Sequence, residues 1–429
     1  VTSIPQERQS PDLLEIVFVL SAGLALLGLR IFGAFTAYDL AILGLAFLIV
    51  FGPVRIQWIP ASLRVAGLLL LAAGLTSAFR STVPIQAIYQ VLQFAFVFFI
   101  TLPVVFTLAR SRRAIHGSLV MMMLGYLSVV VVAMLQSSQV AHRVLPFYNT
   151  ENPNALGIPT ILLLPFVIYF GLDQWRKGRR LPVLLLGGGA GYVMLWALNA
   201  SASRGATFAT AVSVTVFILF RDGLNLGRRV LLRAAVVIVG IGVLAAIIYG
   251  TNLFPSTLKA RIEGTFSGAK VQHSVADDRV ALDRAGLREF LSSPLIGTGF
   301  DNFRYVSQFY DDSATFHDPH NVWVQFLAQT GIVGAAAFLF IICRWFVFMI
   351  RTQSRLRDRS RRELLWAFIA ALTGLMVHSM VAPLVLQRQY WLLYGLGISA
   401  ALLGWQETSA ESLRSSEPMP GTGLETVPR

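Results

Sequence analysis

Three short segments hold residues that an otherwise apolar chain gains nothing from structurally. Ser201-Ala202-Ser203-Arg204-Gly205 opens an apolar run. Ser201 and Ser203 can cap the helix that follows, and Gly205 allows close backbone approach. A helix N-terminus offers free N–H groups and partial positive charge, so an added arginine makes a corner suited to phosphate. The alternative is a snorkelling Arg204 beside an ordinary serine cap.

The second segment is a polar stretch with an amphipathic helix expected over 277–292. Asp277 or Asp278 can cap it, and Val280, Leu287 and Leu291 recur at helical spacing. Arg279, Arg284 and Arg288 are its other polar positions, and Asp283 stands four residues from Arg279. Pro294 stops the helix, and Gly297 and Gly299 make a sharp turn. The bland reading is an interfacial helix with solvated charges.

The third segment is His317-Asp318-Pro319-His320-Asn321, at the mouth of an apolar run. Read as a helix start, Asp318 is the N-cap, Pro319 suits the first turn and His320 lies within that turn. The positive helix end then disfavours imidazolium, leaving a neutral His320 able to take a proton from a hydroxyl. Two other readings stand beside this one. His320 is simply hydrogen-bonded in a loop, or His317, Asp318 and His320 ligate a metal. The ligand set has no obvious fourth member and Pro319 restricts its convergence. No metal and no cofactor is expected.

The elements that position these segments follow from composition. Of 429 residues, 55% are hydrophobic and 13% charged, against about 25% charged in soluble domains. Apolar stretches near or above about 18 residues recur, the pattern of transmembrane helices. Spans are expected at 13–31, 36–52, 65–79, 83–109, 114–136, 156–172, 181–199, 205–220, 229–250, 320–350, 364–385 and 390–405. Nine helices therefore occupy 1–250, a long loop 251–319, three helices 320–406 and a disordered tail 407–429.

The net charge of +13 sits in short loops between apolar segments, which argues for membrane topology and against nucleic acid. Even-numbered loops are rich in arginine: Arg110, Arg112 and Arg113 in the fourth, Arg176 to Arg180 in the sixth, Arg351 to Arg362 in the tenth. The positive-inside rule makes these loops and both termini cytoplasmic. Arg204, the long loop and His320 then share the outer face with isolated Arg80, Arg143 and Arg388. No ATP is expected there, so any reaction must use an already activated substrate. The single cysteine, Cys343, excludes an internal disulfide. The first fifteen residues are polar, so the first span is expected to be retained as an anchor.

In these residues the chain resembles the O-antigen ligase and polymerase superfamily of bacterial envelope glycosyltransferases. The matching pieces are Ser203-Arg204-Gly205, Arg279 ahead of Pro294-Leu295-Ile296-Gly297-Thr298-Gly299-Phe300, and His320-Asn321 leading to Gly331-Ile332-Val333-Gly334. The resemblance covers residues 190–350. It implies an all-α, GT-C-like polytopic protein of the bacterial inner membrane, with a periplasmic loop carrying the amphipathic helix. It implies a glycan donor on undecaprenyl diphosphate. Arg204 and Arg279, with Ser203 at the same corner, would hold the diphosphate, and His320 would activate the acceptor hydroxyl. Inverting, metal-independent transfer is the expectation.

The acceptor expected is the lipid A–core oligosaccharide of lipopolysaccharide, with Arg80, Arg143, Arg388 and Asn321 as candidate acceptor contacts and membrane lipids as neighbours. The rival reading is a polymerase with the same donor and a second lipid-linked glycan as acceptor. A transporter or flippase is a different class. It would place charges at mid-membrane on broken helices, whereas here they gather at one face.

Overall fold

The computed structural model describes residues 12–32, 35–136, 139–140, 143–144, 154–224, 230–236, 239–240, 242–243, 275–312, 319–382 and 387–416. Helices dominate them, because the apolar runs have no other way to satisfy their backbone in lipid. In chain order they are α1 (Leu13–Leu27), α2 (Ala37–Phe51), α3 (Ala61–Ala78), α4 (Pro84–Leu108), α5 (Arg112–Gln136), α6 (Asn154–Arg176), α7 (Arg180–Ser201) and α8 (Arg204–Phe220). After the long loop come α9 (Val275–Ser292), α10 (Phe303–Tyr310), α11 (Val322–Gln353), α12 (Arg359–His378) and α13 (Arg388–Ser416). Among them α3, α4, α5, α6, α7 and α11 are long and apolar enough to cross a membrane. Two small antiparallel ribbons, Arg30–Phe32 with Phe35–Thr36 and Gln139–Val140 with Arg143–Val144, are additions to the all-α expectation.

Local chemistry explains several details. Thr36 and Asp39 form a capping box at the start of α2. The π turn Phe96–Thr101 in α4 lies just ahead of Pro103, which has no N–H to give the preceding turn. Pro165 in α6 likewise leaves the Ile161 carbonyl without its helical donor, and the Ser213 hydroxyl of α8 lies 3.1 Å from it. The same hydroxyl is 2.9 Å from the Ala370 carbonyl of α12. A Cβ on Gly374 would come within 2.7 Å of both Ile161 and Ser213. Bare backbone at Gly374 therefore lets α6, α8 and α12 approach closely, which fixes where α8 begins and where α12 ends.

Two sequence motifs interlock. Helix α11 is broken at Gly331, whose φ of 65° and ψ of −170° are non-helical. The break frees carbonyls in the preceding turn. Thr298 N–H donates to the Ala328 carbonyl at 3.1 Å, Gly299 N–H to that of Gln329 at 3.1 Å, and Ile332 N–H to Pro294 at 2.8 Å. Added Cβ atoms on Gly297 and Gly331 would sit 2.4 Å from the opposing backbone, and both glycines have positive φ. From Ile332 to Gln353 the helix runs about 33 Å, close to the roughly 30 Å of a bilayer core. The single span expected over 320–350 is thus a short helix joined to a spanning one.

Other expectations need correction. Helix α9 starts at Val275, so Asp277 and Asp278 lie inside its first turn and are not caps. Its stripe of Val280, Leu287 and Leu291 is exposed, while Ala281, Leu282, Ala285 and Glu289 are buried. Small residues govern this choice: Gly286 lets α9 approach Val324 of α11, and apolar spacing alone marks both sides of the helix. Helix α13 continues to Ser416, ten residues into the segment read as a tail. The ninth span is only partly among the described residues, and 251–274, 313–318 and 417–429 lie outside them.

Candidate functional site

The site forms where α8 starts, α12 ends and α9 crosses the start of α11. Helix α7 ends at Ser201 and α8 begins at Arg204, so the chain must reverse within two residues. Ala202 achieves this in the left-handed conformation, φ 47° and ψ 32°, fully buried. That conformation carries a cost of about 1–3 kcal/mol for a non-glycine residue, and such costs cluster at functional turns. Ser203 caps α8, its hydroxyl accepting from the Ala206 N–H at 3.3 Å. Arg204 is exposed at the first helical position. A Cβ on Gly205 would meet Val381 Cγ2 at 2.7 Å and lie 3.8 Å from His378 Nε2. The glycine thus admits the end of α12 against the start of α8.

Arg279 reaches the same place from α9. It is partly buried, and burial together with the charge of Arg204 lowers its pKa, with Asp283 opposing. Two arginines near enough to feel each other's charge favour an anion between them. The Asp283 carboxyl is raised by burial, against a hydrogen bond from the Asn321 amide and the charge of Arg279. Asn321 has a second task. Its side chain accepts from the Trp323 N–H at 3.0 Å and is the N-cap of α11. Asp318 is therefore not the cap and His320 is not in the first turn; it precedes the helix. Asn321 wins because its carbonyl reaches the Trp323 N–H while its amide holds α9. The helix-end argument for a neutral His320 falls with that geometry. His317 and Asp318 lie outside the described residues.

His378 gives no signal of a site in the sequence. It is the last residue of α12, 2% exposed, and its Nδ1 finds no hydrogen-bond partner among the described residues. It lies close enough to Arg279 to feel its charge. The next residue, Ser379, gives its carbonyl to the Val322 N–H at 2.9 Å, tying the end of α12 to the start of α11. A histidine in an apolar run gives no local signal; only the approach of α8 to α12 reveals it.

The isolated arginines are not brought into this cluster. Arg80 donates to Ser293 Oγ at 2.7 Å, bracing the turn after α9. Arg388 makes a two-point pair with Asp39, both contacts at 3.1 Å, joining the starts of α2 and α13. Arg143 lies in its small ribbon, with its side chain outside the described residues. Several arginines of the even loops gather at the opposite end of the bundle. There Arg176 and Arg359 share the fully buried Glu363, at 2.5 and 3.1 Å.

Comparison with known proteins bears on this arrangement. Residues 189–339 match the family model described as O-antigen ligase. The matched segment contains Arg204, Arg279, His320 and Asn321, and it ends before His378. No curated protein matches the chain.

Proposed function

We propose that this membrane protein is an O-antigen ligase, from the premise that residues 189–339 match the family model of that description. It transfers a glycan from undecaprenyl diphosphate to the lipid A–core oligosaccharide. The observation that carries the reading is the convergence of Arg204 and Arg279 on one corner beside a capped helix start. A departing diphosphate accumulates negative charge, and fixed cations aimed at it stabilise that charge without a metal. His320 activates the acceptor hydroxyl for attack at the anomeric carbon, with inversion. As the hydroxyl's oxygen bonds to that carbon, the carbon–oxygen bond to phosphate breaks, and the hydroxyl proton passes to His320.

Twelve spans, cytoplasmic termini and a periplasmic site in the bacterial inner membrane complete the proposal. The gathering of cation-rich loops at the end remote from Arg204 supports that orientation. Asn321 stands between the two substrates: it holds α9 at Asp283 and leads from His320. Arg80, Arg143 and Arg388 remain secondary contacts for the phosphorylated acceptor. Arg80 and Arg388 would have to share their internal partners to serve.

The deciding experiment supplies purified protein with lipid-linked glycan and either lipid A–core or a second lipid-linked glycan. Product on lipid A–core is expected. Elongated glycan on the carrier lipid would make the protein a polymerase, and no transfer to either would remove both readings.

A further inference from the structure

We propose that His378 is a further residue of the donor site, donating its Nε2–H to an oxygen of the diphosphate held by Arg204 and Arg279. Three observations lead there. The side chain is buried at the end of α12, yet Nδ1 has no partner among the described residues. A buried polar atom left unpaired is costly, and native structures rarely keep one without a use. On the other side of the ring, Nε2 stands 3.8 Å from the place a Cβ would take on Gly205, in the first turn of α8 next to Arg204. The imidazole also lies within electrostatic reach of Arg279. His378 therefore lies beside the helical turn that carries Arg204 and within the electrostatic reach of Arg279.

The alternatives fit less well. As a packing residue, His378 would be better replaced by an apolar side chain, which brings no unpaired nitrogen. As a structural hydrogen bonder it would show a partner at Nδ1. As a metal ligand it would need further ligands, and among the described residues no group of three His, Cys, Asp or Glu side chains gathers there. A neutral imidazole carries one N–H, and an anionic oxygen is the acceptor that a corner with two arginines attracts. The contact adds a directional donor to two diffuse cations, so it governs donor affinity and leaves the acceptor to His320.

The inference rests on the proposed donor chemistry, and its test separates the two. The full chain in lipid nanodiscs is assayed for binding of undecaprenyl diphosphate and for transfer at varied donor and acceptor concentration. His378→Leu fills the space without a donor, and His378→Gln keeps an N–H near the Nε2 position. We expect His378→Leu to weaken undecaprenyl diphosphate binding about tenfold or more, as loss of a hydrogen bond to a charged group does. The donor KM rises in parallel, the acceptor KM stays unchanged, and His378→Gln recovers most of the loss. Thermal unfolding fixes a temperature at which both variants are folded. Undiminished binding by His378→Leu overturns the inference. So does equal weakening toward donor and acceptor, the mark of a packing defect, or a rise confined to the acceptor KM. Wild-type protein that neither binds nor uses undecaprenyl diphosphate refutes the donor chemistry itself.

Discussion

Arginines gather at both ends of this helix bundle, and the pair Arg204 and Arg279 keeps different company from the cluster at the far end. At the end where α6 and α8 finish and α12 begins, carboxylates accompany them. Glu363 is shared by Arg176 and Arg359, Asp222 meets Arg359 at 3.2 Å, and Asp358 meets Arg112 at 3.2 Å and Arg361 at 3.1 Å. At the other end Arg279 is partly buried against the charge of Arg204, and Asp283 beside it is itself hindered from ionising by burial. Neutralised arginines hold helices together; in the proposed site, neighbouring ones would hold an anion. The distinction lies in the company each arginine keeps, which a count of basic residues along the chain does not reveal.

The sharpest way to break this comparison is to remove one arginine from each end. Arg204→Ala or Arg279→Ala should abolish most transfer while leaving expression intact. A hydrogen bond to a charged group contributes about 1.5–3 kcal/mol, or about 10- to 150-fold in rate where it acts on the transition state. Lysine at either position should restore only part, because it lacks the planar fork. Arg359→Ala, at the other end, should leave transfer within about twofold and lower the thermal midpoint, since Glu363 keeps Arg176 as partner. Full activity in Arg204→Ala or Arg279→Ala would take that residue out of the site. Loss of transfer in a folded Arg359→Ala would erase the contrast between the ends.

A good part of this was open to reading along the chain. Ser203 reads as a cap because serine before an apolar run has little else to do, and it is one. The arginine clusters read as loops because each follows an apolar segment. What could not be read are contacts that join distant segments. Gly297 and Gly331 serve the same backbone crossing from 34 positions apart, and each looks like an ordinary glycine until the other is in place. Asn321 displaces Asp318 as cap because only the fold shows that its amide also meets Asp283. His378 stood in an apolar run with nothing nearby in sequence to mark it. The stripe of Val280, Leu287 and Leu291 misled because spacing identifies a face without saying which face is buried.

The comparison can be sharpened by asking which side of the membrane each end occupies. Cys343 is exposed and is first replaced by serine. A cysteine at Asp312, which is exposed and follows α10, should then react with a membrane-impermeant thiol reagent in cells whose outer membrane is permeable. A cysteine at Ser354, exposed at the end of α11, should react only after lysis. Transfer activity in each variant confirms folding. The reverse pattern would put the arginine pair in the cytoplasm and remove the periplasmic reaction.

The smallest expected effect is none at all, and it concerns divalent metal. Departing diphosphate needs positive charge beside it, and a divalent cation is a common source. Arg204 lies near enough to Arg279 for its charge to be felt, and guanidinium groups can grip phosphate oxygens in pairs. The rival source would be a cation on His317, Asp318 and His320, of which only His320 is among the described residues. Protein dialysed exhaustively against EDTA should transfer glycan at the untreated rate, and added magnesium, manganese or zinc should not raise it. The same series run on Arg279→Lys is more demanding, because a weakened clamp leaves room for a metal to help. If chelation stops the wild type and one divalent ion restores it, the cation site supersedes the arginine pair as the source of leaving-group stabilisation. If metal rescues only Arg279→Lys, the arginines are the native source and the ion merely a substitute.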